Sequence, residues 1–463
     1  MSLWSLNEIH NALNCKNSIN QNFSFSNISI DTRTLEKGSL FIPIKGEKFD
    51  GHNFINKAYE KGAIASLIEE KKLQKIKKSR IPLIVVKNTK NSLKKIATFS
   101  RNRIKNLLMI CITGSSGKTT LKDWLTKILE KKYKTFSNFG NFNNEIGMPL
   151  TLANMPRNTQ ICVLELGMNS PGEINRLTKI AHPDVSIITN TGLAHLGNFK
   201  KNKEIAYEKS QILNYLNKNS YAILPDNSKY HNFLKKKATK LTKNVFSFGS
   251  SKKSSFRLMP KSKRVGYSSF LITKEKISLR KNTSYINWEI NALVILGLIR
   301  ILNLKINNYK QNIERLSPIK GRGETHNLMI KGKKITLIDE SYNSNPDSLE
   351  NAIKGLETQN YKARRKICVI GDMLELGKTS SQLHLKILKV LIKVNPYSVI
   401  TIGKFTKTIH ENLPKKIKAF HFNNCQNVYN KLTNITEDGD LIMIKGSNST
   451  KLHQICDKLI KKY

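Results

Sequence analysis

The chain has 463 residues, 39% of them apolar and 24% charged, with only 12 prolines; that composition excludes disordered and fibrous classes. Domains usually hold about 100 to 200 residues, so roughly three are expected. The formal charge of +46 would ordinarily point to nucleic acid or an anionic membrane, but the lysines are scattered along the whole chain without a basic stripe or interleaved aromatics. No nucleic-acid partner is expected, although such a charge attracts polyanionic small molecules.

The N-terminus, Met1-Ser2-Leu3-Trp4-Ser5-Leu6-Asn7-Glu8, has no basic region followed by an apolar stretch. The longest apolar run, residues 292–299, is far shorter than the roughly 20 residues of a membrane span. A cytoplasmic protein without stable membrane insertion is expected. Cys15, Cys111, Cys162, Cys368, Cys425 and Cys456 lie far apart with no CxxC or Cys/His metal spacing, and are read as reduced thiols.

From residue 28 to 70 short strands alternate with turns: strands at 29–33 and 39–44, then the turn Asp50-Gly51-His52. A helix-like stretch runs through Ala58 and Gly62, and a basic segment at 71–80 precedes a strand at 81–86. Residues 1–105 are expected to form a small first α/β domain. The apolar run 107–112 suits a fully buried parallel strand. After a glycine loop, Leu121, Trp124, Leu125, Ile128 and Leu129 recur at helical spacing. Buried strands are expected at 161–166 and 185–189. Their alternation with helices implies a parallel sheet with ligands at the strand C-termini, where Glu165, Asn190 and His195 fall. Residues 245–285 read as a β excursion closing the central domain, followed by a helix at 291–302 and a linker at Ser317-Pro318. The alternation restarts with strands at 335–338, 367–370, 398–402 and 441–444, which put Asp339 and Lys445 at strand ends. The expected architecture is α/β in three domains: 1–105, a central phosphate-loop domain with a parallel sheet at 106–316, and a Rossmann-like domain at 317–463.

The string Thr113-Gly114-Ser115-Ser116-Gly117-Lys118-Thr119-Thr120 lies between that strand and that helix, as a phosphate loop requires. Backbone N–H groups of Gly114, Ser115, Ser116 and Gly117 at a helix N-terminus suit phosphate oxygens, Lys118 suits the β- and γ-phosphates of ATP, and the Thr119 hydroxyl suits Mg²⁺. The general pattern wants glycine at 112, where Ile112 stands. Glu165 is a further candidate Mg²⁺ ligand; His195 alone would be an incidental loop histidine.

These residues converge on a family. The loop, then Gly140-Asn141-Phe142-Asn143-Asn144-Glu145-Ile146-Gly147-Met148-Pro149, Glu165-Leu166-Gly167-Met168 and Ala194-His195-Leu196 resemble the Mur ligases, which build the peptide stem of bacterial peptidoglycan; the shortened loop is that family's form. Asp31-Thr32-Arg33 and Asp50-Gly51-His52 are similar to the uridine-nucleotide domain of these enzymes. In the third domain, Asp339-Glu340-Ser341-Tyr342-Asn343-Ser344-Asn345-Pro346, Gly371-Asp372-Met373-Leu374-Glu375-Leu376-Gly377 and Lys445-Gly446-Ser447 look like the branch that adds D-alanyl-D-alanine to UDP-N-acetylmuramoyl-tripeptide. An Asp-Asn-Pro-Arg string, typical of members adding meso-diaminopimelate as the third residue, does not occur.

The resemblance implies ATP contacts from the loop through Thr120 and from Asn291, Arg322, Asp339 and Asn343. It also implies Mg²⁺ ligation by Thr119, Glu165 and His195, and a carbamylated lysine at Lys209 that helps bind a second Mg²⁺. Lys118, Lys209 and Arg322 would be catalytic, and Thr32, Arg33, Asn143, Asn144 and Lys445 would contact substrate. Asn287-Trp288 departs from the family's His-Asn near the adenine. A monomer is the default. The rivals are the branch adding the third amino acid, folylpolyglutamate synthetase, whose reading the uridine-type first domain opposes, and a nucleic-acid-binding phosphate-loop protein.

Overall fold

The computed structural model describes residues 2–15, 23–76, 79–193, 196–199, 201–260, 265–283, 285–358, 361 and 364–462. Three α/β units follow one another, each around its own sheet. In the first, the strands Asn27–Ser29, Ser39–Phe41, Ala65–Glu69 and Leu83–Val86 pair in sequence order and in parallel. The strand expected at 29–33 ends at Ser29, because the Asp31 carboxylate accepts from the Arg33 N–H at 2.9 Å and folds the segment into a turn.

Among the described residues the central sheet has nine strands. They run in the order Thr135–Ser137, Ile161–Glu165, Leu108–Thr113, Val185–Ile188, Tyr221–Pro225, Asn244–Gly249, Phe256–Leu258, Tyr267–Ile272 and Glu275–Arg280. All neighbours are parallel except the last two pairs, so residues 245–285 do extend this sheet at one edge. Leu108–Thr113 is apolar throughout because both its faces are covered. Ile110 and Ile112 pack toward the helices Lys118–Leu129 and Trp288–Ile301, while Met109 and Cys111 pack toward Met148, Leu152 and Leu177. The helix Trp288–Ile301 buries Trp288 and every residue from 291 to 299. A helix apolar on all sides belongs inside a core, which explains the longest apolar run in the sequence.

The third sheet runs Glu324–Ile330, Lys333–Glu340, Leu441–Lys445, Lys366–Gly371, Ser398–Ile402 and Lys418–Phe422. It is parallel except for its first pair. That antiparallel edge strand was not expected. Its residues are half-exposed in alternation, and its hairpin turns on Lys331 and Gly332, both at positive φ (48° and 79°), in place of the usual Asn-Gly. All six cysteines are free thiols. No helix among the described residues is long and apolar enough to cross a membrane.

Candidate active site

The phosphate loop is fixed before any ligand arrives. A Cβ at Gly114 would lie 1.9 Å from Thr189 Oγ1, so only glycine fits there. Gly117, at φ 79°, caps the helix Lys118–Leu129. Asn190, just past its strand, clamps the loop from both sides. Its Oδ1 accepts from the N–H groups of Ser115 (3.0 Å) and Ser116 (3.2 Å), and its Nδ2 donates to Ser116 O (3.0 Å) and Oγ (2.9 Å). Lys118 Nζ curls back to Gly114 O at 2.8 Å. Burial lowers the pKa of its ammonium; Glu165 opposes the shift and Arg322 adds to it. The field of Arg322 therefore reaches Lys118 from the third domain.

Thr119 Oγ1 donates to Glu165 Oε2 at 2.6 Å, and Asn143 Nδ2 donates to Glu165 Oε1 at 2.7 Å. Asn138 holds the backbone of the same glutamate, accepting from its N–H (2.8 Å) and donating to its C=O (3.1 Å). A hydroxyl and a carboxylate at the mouth of a phosphate loop are the hard oxygen donors that Mg²⁺ takes beside nucleotide phosphates, so these residues fit that ion. A Cβ at Gly167 would lie 2.6 Å from Asn143 Oδ1, so the bare glycine leaves that asparagine its room. Asn144 is turned elsewhere: its Oδ1 accepts from Ile146 N (3.1 Å) and Gly147 N (2.8 Å) at the start of the helix Gly147–Ala153. His195 lies outside the described residues.

Lys209, in the last turn of the helix Asn202–Ser210, is only 1% exposed, with Nζ 3.7 Å from Met168 Sδ. Burial pushes its ammonium pKa well below the usual lysine value, the Lys118 charge pushes it further, and Glu208 only opposes. The Glu208 carboxylate faces the other way, accepting from Gly172 N and Ile174 N at 2.8 Å each at the start of the helix Glu173–Ala181. Lys209 is thus an amine held toward its neutral form near the phosphate-binding lysine.

Arg322 stands between Gly321 (φ 73°) and Gly323 (φ 97°), and its guanidinium lies 4.0 Å over the Tyr342 ring. A Cβ at Gly323 would meet the Tyr285 ring at 2.6 Å. Burial raises the Tyr285 phenol to about 12, against hydrogen bonds with Asn287 and Thr120. Asn291 is 5% exposed, and its Nδ2 has no partner among the described residues; the same holds for Trp288 Nε1. A buried, unpaired amide donor costs about 1–3 kcal/mol and fits a ligand base with acceptor nitrogens.

Asp339 and Lys445 shape the loop between them. Asp339 Oδ1 accepts from Ser341 N (3.0 Å) and Oγ (2.5 Å), and Lys445 Nζ donates to Asn343 O (3.0 Å) and Glu340 Oε2 (3.2 Å). Asn343 itself is exposed, its Oδ1 accepting from Ser344 N at 2.8 Å. Thr32 is buried, and the exposed Arg33 pairs with Asp31 at 2.6 Å at the carboxyl edge of the first sheet. The structure therefore brings the loop, Glu165 and Asn143 into direct contact, puts Lys209 against Met168 and Arg322 against Tyr342, and leaves Thr32 and Arg33 in the first domain. Asn138, Glu208 and Tyr285 were missed; short polar or aromatic residues outside a recognised string carry no periodic signal.

Three family models match in chain order: Mur ligase family, catalytic domain, over residues 24–105; Mur ligase middle domain over 112–292; and Mur ligase, glutamate ligase domain over 321–448. A UDP-N-acetylmuramoyl-tripeptide--D-alanyl-D-alanine ligase of Rickettsia prowazekii is 32% identical over 97% of this chain and 96% of its own. The chain belongs to the Mur ligase family. As a Mur ligase it also shares the three-domain fold of solved relatives. A crystal structure of MurF from Acinetobacter baumannii superposes with TM-score 0.87 at 26% identity, covering 99% of each chain. MurF ligase from Thermotoga maritima in complex with ADP gives 0.80 at 25% identity, covering 94% of this chain and 98% of that one.

Proposed function

We propose that this Mur ligase joins D-alanyl-D-alanine to UDP-N-acetylmuramoyl-tripeptide at the expense of ATP, as its full-length relative from Rickettsia prowazekii is named to do. The observation that carries the ATP-driven chemistry is the preformed phosphate loop with Lys118 at its helix N-terminus and the Thr119–Glu165 pair beside it.

A carboxylate is a poor electrophile, so the γ-phosphoryl group is first transferred to the terminal carboxylate of the tripeptide. The carboxylate oxygen forms the new P–O bond and ADP leaves with the electron pair of the old one. Two anions must meet in that step. Lys118 and Arg322 offset the repulsion and stabilise the charge spread over the transferred group. Thr119 and Glu165 are the residues that would hold Mg²⁺ with the nucleotide, together with His195, and the ion would neutralise phosphate charge. The neutral amine of D-alanyl-D-alanine then attacks the acyl carbon, a tetrahedral intermediate forms, the nitrogen releases a proton, and phosphate departs with the electron pair of its C–O bond as the amide closes. Arg322 comes from the third domain, so closure of that domain completes the site and shields the acyl phosphate from water.

For Lys209, the family resemblance and its burial as a deprotonation-prone amine support carbamylation: the nitrogen lone pair attacks CO₂, an N–C bond forms and a proton is released. The unpaired Asn291 amide supports an adenine contact, and Asp339 and Asn343 support the nucleotide from the loop that Lys445 ties down. Thr32, Arg33, Asn143, Asn144 and Lys445 are our assignment for substrate, Asn144 through the backbone of Ile146 and Gly147 that it holds. Division at 1–105, 106–316 and 317–463 fits one main sheet in each segment. ATP and a UDP-linked acceptor are cytoplasmic metabolites, which supports a cytoplasmic enzyme, and one chain carries every proposed group, which supports a monomer. Mass spectrometry of the UDP-linked product tests the reading: gain of the whole dipeptide through an amide is expected. Gain of a single amino acid instead would contradict it.

A further inference from the structure

The helix Pro346–Gly355 of the third domain begins on the phosphate loop of the second. Its N-cap Asn345 donates through Nδ2 to Ser115 O at 3.2 Å. Two residues on, within the first turn, Asp347 Oδ2 accepts from the Leu193 N–H at 3.0 Å. The residue before Leu193 is Gly192, whose C=O accepts from Ser115 Oγ at 2.5 Å. A Cβ built on Gly192 would lie 1.7 Å from Asp347 Oδ2 and 2.9 Å from its Cγ, and its third-nearest atom, at 3.6 Å, is again from Asp347. Gly192 has no positive φ, so its backbone suits any residue. Among the described residues, the three nearest atoms that a side chain there would meet all belong to Asp347 of another domain.

Neighbouring contacts point the same way. Leu193 and Leu196 pack against the core of the third domain, and Gly197 N donates to Glu375 O at 2.7 Å. Gly377, in the string Gly371 to Gly377, would place a Cβ 2.8 Å from Gly197 Cα. Residues 190–193 and 196–197 thus both hold the phosphate loop, through Asn190 and Gly192, and receive the third domain.

We infer that Asp347 is a positioning residue for the ligase reaction: it latches the closed third domain onto Gly192–Leu193, and the missing side chain of Gly192 is the socket that admits it. Asp347 touches no reacting atom. It acts through the phosphate loop and through the placement of Arg322, because both depend on where the third domain rests. The inference rests on the ATP-dependent ligase reading.

The test is a double-mutant cycle read by steady-state phosphate release, with the radius of gyration from small-angle scattering in the presence of a non-hydrolysable ATP analogue as a second readout. Gly192→Ala should lower kcat on the order of 10²-fold, since a misplacement of about 1 Å costs that much, with less effect on the KM for ATP and an expanded particle. Asp347→Ala should lose about tenfold, as for one charge-assisted hydrogen bond, and Asp347→Asn, which keeps an acceptor, should stay within about threefold of the parent. Gly192→Ala combined with Asp347→Ala should recover to the level of Asp347→Ala alone, because the obstructing atoms are gone. Gly192→Ala with parental turnover, or a double variant no better than Gly192→Ala, would overturn the latch. If Gly192→Ala fails to fold, recovery of a folded, active double variant still supports it and failure of both overturns it. An inactive parent chain would instead overturn the ligase reading, so the two failures are distinct.

Discussion

Thr119 Oγ1 donates to Glu165 Oε2 at 2.6 Å while Asn143 occupies the other carboxylate oxygen at 2.7 Å. The hydroxyl comes from the first turn of the phosphate-loop helix and the carboxylate from the end of the neighbouring strand, so the sheet itself sets their separation. Glu165→Gln keeps the size and loses the charge. It is expected to raise the Mg²⁺ concentration needed for half-maximal phosphate release by at least about tenfold, as loss of one anionic ligand does. An unchanged Mg²⁺ titration would remove Glu165 from the metal site.

Lys118→Ala removes the cation that the loop carries toward the nucleotide. Phosphate release should disappear while the melting temperature stays within a few degrees of the parent, because among the described residues the half-buried ammonium bonds only its own loop at Gly114 O. Normal turnover in this variant would contradict the phosphate-binding role.

Arg322→Ala should act mainly on turnover. A contact made to charge that develops in the transition state typically contributes about 10²–10³ in kcat. The two flanking glycines and the Tyr342 ring fix the aim of this arginine, so Arg322→Lys, which keeps charge but not the planar fork, is expected to restore little. Kinetics at saturating ATP check both variants; parental kcat in Arg322→Ala would remove it from the site.

Lys209 gives a pH signature. Its folded pKa lies well below the ordinary 10.5, so between those two values the unfolded chain binds one proton more than the folded one. Stability therefore rises with pH across that window, by up to about 1.4 kcal/mol per pH unit. Lys209→Met removes the term. Melting curves in CO₂-free buffer should show the parent gaining on Lys209→Met as pH rises toward 10.5; parallel curves would mean that the amine is charged in the fold.

The phosphate loop was legible because a buried strand, two glycines and an amphipathic helix each have a local pattern, and Glu165 followed from its place at a strand end. The β excursion at 245–285 was legible from a change of composition. Lys209 was not: a lysine on a basic helix reads as solvated, and its burial comes from tertiary packing beside Met168. The Gly192–Asp347 socket was not legible either, since the reason for that glycine lies in another domain. The backbone role of Asn144 was not legible: its side chain accepts from Ile146 N and Gly147 N, and an asparagine amide that orders a turn reads in sequence like one that meets a ligand. The edge strand Glu324–Ile330 was hidden by a Lys-Gly turn.

Phosphate release from ATP and Mg²⁺ in the presence of UDP-N-acetylmuramoyl-tripeptide, with and without D-alanyl-D-alanine, tests the central claim most directly. Sustained release that requires both the tripeptide and the dipeptide is the predicted result. Release that is indifferent to the dipeptide would contradict it.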